Sequence, residues 1–161
     1  MDSRNAQNAQ AVYIANRVNT ASREQLLLIT YEIGVKACRN AETALVSGNT
    51  EEANRNIQKA QDVLRELMVT LNMETGGEVA EGLMKLYDFM YFLLVEANVR
   101  KEPEKVSVVR GMLEELKGTW EEAVIKLAAE QQQEHHIPGI PSADVSRERQ
   151  AVPAGGLNIA G

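Results

Sequence analysis

Residues 83–95, LMKLYDFMYFLLV, carry two charges, Lys85 and Asp88, in thirteen positions. A helix on the outside of a small soluble protein needs one apolar stripe, so this stretch holds more apolar surface than one helical face uses. Placed at about 100° per residue, Leu83, Tyr87, Met90, Leu94 and Ala97 point one way. Ala80, Met84 and Tyr91 form one shoulder of that row, and Phe89 and Leu93 the other. Phe92 lies about 170° from the centre by the same geometry, beside Glu81, Lys85, Asp88 and Glu96. Two neighbouring helices bury the central row and part of each shoulder, but not Phe92 as well. One exposed aromatic is ordinary, because much protein surface is apolar. A contiguous exposed patch instead marks a partner groove or an oligomer contact.

The same steps of three and four recur on either side. One row is Leu27, Tyr31, Gly34, Cys38, Ala41 and Leu45, and a second is Ala53, Ile57, Ala60, Leu64, Leu67 and Leu71. After the stretch above comes Val106, Val109, Leu113, Leu116, Trp120, Ala123 and Leu127, and no strand pattern competes. Ser22–Gln25 and Thr75–Glu78 fit the capping box of a helix start. Gly48-Asn49-Thr50 supplies a C-terminal glycine followed by a cap, and Pro103 suits a first helical turn. Short connections make successive helices antiparallel neighbours. The pattern therefore predicts an all-α fold, an antiparallel up-down four-helix bundle over residues 22–130, with helices of roughly 20 to 28 residues, or 30 to 40 Å. Residues 1–21 read as a short N-terminal arm. Residues 131–161 hold three of the four prolines and Gly139, Gly155, Gly156 and Gly161, and read as a flexible, disordered tail.

Composition excludes several functions. The chain has 161 residues, 44% of them hydrophobic, enough for one core. A net charge of −6 and a pI near 5.0 argue against nucleic acid as a partner. The single cysteine, Cys38, sits in an apolar row and reads as a small buried hydrophobe. The N-terminus lacks the pattern of a signal peptide, and no run is fit to enter a membrane, so a cytoplasmic protein is expected. The only histidines, His135 and His136, fall outside the apolar rows, which leaves no Glu-x-x-His pair for a bundle metal site. No phosphate loop or nucleophile–histidine set appears. The expectation is a protein that is not an enzyme and needs no cofactor or metal.

Val12, Tyr13, Ile14 and Val18 precede the first cap, too few for an independent helix and too apolar for an idle tail. They read either as a staple on the first bundle helix or as an amphipathic arm docked on the bundle, displaceable by a longer competitor.

Five segments carry a resemblance: YIANRVNTAS (13–22), KAQDVLRELMVTLN (59–72), GGEVAEGL (76–83), LYDFMYFLLVEAN (86–98) and LKGTWEEA (116–123). In order and spacing they resemble the flagellar secretion chaperone FliS family. Tyr13, Asn16, Val18, Thr20 and Ala21 match the family's arm and its lead into the first bundle helix. Gly76, Gly77 and Glu78 match a helix entry, and Leu86, Tyr87, Asp88, Glu96, Ala97 and Asn98 match that helix's middle and end. Two positions depart: Arg23 stands where the family commonly has Pro, and Phe92 and Leu93 where it has basic residues. The resemblance implies a cytosolic helical bundle that binds the C-terminal region of new flagellin, stops premature polymerisation and hands the flagellin to the flagellar export apparatus. It also implies an arm that occupies apolar surface while flagellin is absent. The expected flagellin-binding or arm residues are Tyr13, Ile14, Val18, Met84, Phe89, Tyr91, Phe92 and Leu93. A structural bundle that forms a homodimer through its third helix is the alternative.

Overall fold

Side chains at each helix end explain where the chain stops and starts. In the computed structural model, which describes residues 2–20 and 22–135, five helices follow one another: α1 Asp2–Thr20, α2 Arg23–Val46, α3 Thr50–Thr70, α4 Met73–Arg100 and α5 Pro103–His135. No strand occurs among the described residues. The Ser22 hydroxyl accepts from the Gln25 amide at 3.3 Å while the Gln25 side chain accepts from the Ser22 amide at 3.2 Å, closing the expected capping box. α2 ends with Gly48 at φ 78°, the Gly48 amide bonding to Leu45 and the Asn49 amide to Ala44, a Schellman closure. The Asn49 side chain then accepts from the Glu52 amide, capping α3.

Two starts differ from the sequence reading. The cap of α4 falls on Asn72, whose side chain accepts from the Glu74 and Thr75 amides at 3.2 Å each, so Thr75 lies inside the first turn instead of ahead of it. Gly77 then takes φ 54° and ψ −132°, a backbone shape open to glycine, and kinks α4 just after its start. The second difference is α1. The expected short arm is a helix of 19 residues. Val12 and Tyr13 stay exposed on it, and Gln10 lines a groove of about 590 Å³ with Glu32, Lys36, Arg39 and Lys117 of α2 and α5. Five helices, not four, make up the described chain.

The four apolar rows are carried by α2 to α5. Tyr31, Cys38, Ala41, Ile57, Ala60, Leu64, Leu67, Tyr87, Met90, Leu94, Ala97, Val106, Val109 and Leu113 form a buried cluster. The fourth row fails at its end, where Ala123 and Leu127 are exposed, on a helix of 33 residues that is longer than any other. α2 and α3 come closest together, as buried Gly34, Ala37, Ala41, Ala53 and Ala60 allow. A Cβ on Gly34 would stand 3.0 Å from a Val63 methyl and 3.1 Å from Leu113. Elsewhere long side chains make the connection. Glu32, Arg39 and Glu42 of α2 pair with Lys117, Glu114 and Arg110 of α5, in opposite chain order. Between α3 and α4 the same order reversal appears in Asn54–Asn98 and Arg65–Tyr91. The chain divides into two compact units, Met1–Glu122 and Ala123–Gly161, and of the second the structure describes the last stretch of α5. The expected tail therefore lies mostly outside the described residues.

Candidate functional site

α4 buries Tyr87, Met90, Leu94 and Ala97 and leaves a second apolar face in water. Phe92 is 58% exposed and Phe89 50%, with Leu86, Val95 and Val99 also exposed. Successive members lie three or four apart, so each neighbours the next and the band winds part-way around the helix surface. Leu93 is half-buried and packs on the core beside them. α1 leaves Phe92 uncovered.

The remaining expected residues divide. Tyr91 and Met84 are half-buried. The Tyr91 hydroxyl accepts from Arg65 at 2.5 Å, and the same guanidinium lies 5.3 Å from its ring centroid, so Tyr91 faces α3. Tyr13 is exposed and Ile14 half-buried on α1, and the side chain of Val18 lies outside the described residues. Phe89, Phe92 and Leu93 are thus the expected residues that form one surface. Sequence reasoning missed Leu86, Val95 and Val99, which the same three-to-four spacing would have found.

A second feature lies where α3 turns into α4. Leu27, Leu67, Leu71, Val79, Ala80, Leu83, Tyr87 and Trp120 line a cavity of about 280 Å³, with Thr75 and Gly76 beside its polar edge. Trp120, expected as plain core, is half-buried there. Its indole N–H donates to the Tyr31 hydroxyl at 3.2 Å, and the Tyr31 and Tyr87 hydroxyls are 2.6 Å apart. Burial raises the pKa of both tyrosines above the usual range, and it pushes the Cys38 thiol up to about 12, with Glu42 adding to the effect. All three groups are buried and neutral, and the two tyrosines are hydrogen-bonded to each other. An apolar helix face beside an open apolar cavity is suited to holding another polypeptide.

The family model of flagellar protein FliS matches residues 5–127. The chain belongs to the FliS family. It is 32% identical over 134 residues to the flagellar secretion chaperone FliS of Bacillus subtilis, a match covering 83% of this chain and 97% of that one. It is 30% identical over 112 residues to the flagellar secretion chaperone FliSB of Pseudomonas aeruginosa, covering 70% and 89%. With the FliS of Vibrio cholerae it shares 26% identity over 111 residues, covering 69% and 82%. The family match spans both the exposed face of α4 and the cavity. No helix among the described residues is long and apolar enough to cross a membrane.

Proposed function

We infer that this chain is a cytoplasmic export chaperone that binds the C-terminal segment of flagellin, keeps it from polymerising early and delivers it to the flagellar export apparatus. In this reading α2 to α5 form an antiparallel four-helix bundle over residues 22–130 that acts as the binding body, and residues 1–21 form an arm that yields to the incoming segment. The observation that carries the reading is the exposed stripe of Leu86, Phe89, Phe92 and Val99 on α4. Amphipathic helices that would otherwise pack in a filament find an alternative partner there. The ordering entropy of a bound flexible segment keeps affinity moderate in spite of a large contact, which suits a chaperone that must let go.

Mixing the chain with a flagellin C-terminal peptide tests this. A stoichiometric complex by calorimetry is expected, and Phe92→Glu should weaken it by about tenfold, since burying a charge there opposes docking. Absence of a complex with the wild-type chain removes the reading. The 58% exposure of Phe92 also favours a second reading, self-association through α4. A concentration-dependent dimer in sedimentation that dissolves in Phe92→Glu and ignores the peptide would replace the first.

A further inference from the structure

Trp120, Tyr31 and Tyr87 bring three hydrogens to their shared bonds: one indole N–H and two hydroxyls. The structure gives two hydrogen bonds among them, Trp120 to Tyr31 and Tyr31 with Tyr87. Among the described residues neither hydroxyl is given another acceptor, so one of the two hydroxyl hydrogens is open to a further one. Two arrangements exist. If Tyr87 donates to Tyr31, the spare hydrogen sits on Tyr31, which is wholly buried and does not line the cavity. If Tyr31 donates to Tyr87, the spare hydrogen moves to Tyr87, which does line it. A buried donor without a partner is costly, so an acceptor entering the cavity selects the second arrangement.

We propose that this cavity is an anchor pocket for one apolar side chain of a bound peptide, with a backbone carbonyl beside that side chain accepting the spare hydrogen of Tyr87. The size favours a peptide side chain over a free ligand: about 280 Å³ falls just under the range of pockets that enclose small molecules. The surroundings favour a chain that continues. Val79, at the cavity's rim, is 70% exposed, and Leu86 and Leu93 follow at seven-residue steps along α4. An apolar track thus leads from the pocket toward the exposed face of α4, rising about 10 Å with each step. Charge narrows the partner further. Glu74 and Glu78, both exposed, flank Thr75 and Gly76 at the mouth, which fits a Lys or Arg near the anchoring residue. The kink at Gly77 belongs to the same design, for it sets the first turn of α4 apart from the helix that carries Val79 and Leu83. This proposal rests on the reading of the chain as a peptide-binding chaperone, and it is tested separately from it.

The probe is N-acetyl-leucinamide, one apolar side chain with backbone carbonyls, titrated into the full chain. Trp120, the one tryptophan, reports through its fluorescence and its indole N–H resonance. A saturable response at millimolar probe is expected. Tyr87→Phe should weaken it about fivefold, the effect of losing one hydrogen bond between neutral groups, and Thr75→Phe, which crowds the exposed rim and leaves the core alone, should abolish it. No saturable response, or equal binding by wild type and Tyr87→Phe, overturns the proposal. So does toluene giving the same response as the probe with no dependence on Tyr87. The flagellin peptide supplies the second arm. Fragment binding without peptide binding keeps the pocket and discards the flagellin reading, whereas peptide binding unaltered by Tyr87→Phe and Thr75→Phe discards the pocket alone.

Discussion

Tyr31 stands in the middle of a three-member hydrogen-bond chain, and that position makes it worth more than either neighbour. Removing its hydroxyl strands the Trp120 N–H and the Tyr87 hydroxyl together. Removing the Tyr87 hydroxyl breaks one bond and leaves the Trp120 to Tyr31 bond in place. Tyr31→Phe is therefore expected to destabilise the chain by about 1–3 kcal/mol and Tyr87→Phe by under about 1 kcal/mol, read from urea unfolding midpoints. Equal losses would mean the bonds are not shared in this way. Cys38 gives a simpler case. Buried among helices, with its thiol pKa pushed up to about 12, it should resist thiol reagents at pH 8 and react only as urea unfolds the chain.

Two glycines of α4 should respond to alanine with opposite signs. Gly77 has φ 54° and a kinked backbone that a side chain strains, so Gly77→Ala is expected to cost about 1–3 kcal/mol. Gly82 lies in the regular helix, with nothing within 4 Å of an added Cβ, so Gly82→Ala should stabilise by about 0.5–1 kcal/mol. Thermal unfolding of the two variants checks both. Local chemistry of this kind is also why much of the fold was legible in the sequence. The Ser22 box, the Gly48-Asn49 turn and Pro103 act within a few residues of themselves, and the structure places them where the sequence did. Asn72 and Thr75 are both capping residues three positions apart, and where α3 ends decides between them. α1 escaped notice because its apolar residues form no stripe. Ala6, Ala9, Ala11 and Ala15 are good helix formers, and a polar helix with few buried contacts leaves no periodic trace.

At the scale of the whole molecule, three buried acids tie stability to pH. Burial raises the pKa of Tyr31 and Tyr87 above the ordinary 10.0, and that of Cys38 from 9.0 to about 12. The folded chain keeps these protons at pH values where the unfolded chain has lost them. Below pH 9 both states hold them and stability is full; as pH rises past 9, and more steeply past 10, the unfolded state binds fewer and stability falls. Urea midpoints at pH 8, 9.5 and 10.5 should decline in that order, and a flat series would contradict the burial. The outward Phe92 of α4 was legible, because a single helix carries it and angular spacing alone reveals it, whereas Leu86, Val95 and Val99 beside it were not singled out. The cavity was not, since its walls come from residues as distant as Leu27 and Trp120. The contrast between the two sides of α2 has its own outcome. Methyl groups fasten it to α3, and guanidinium, ammonium and carboxylate groups lace it to α5. Dissolved salt shields only the laced side, so amides along residues 103–122 should exchange with deuterium faster in brine while those of α3 keep their pace. Ionic strength alone would then adjust how readily one wall of this protein loosens.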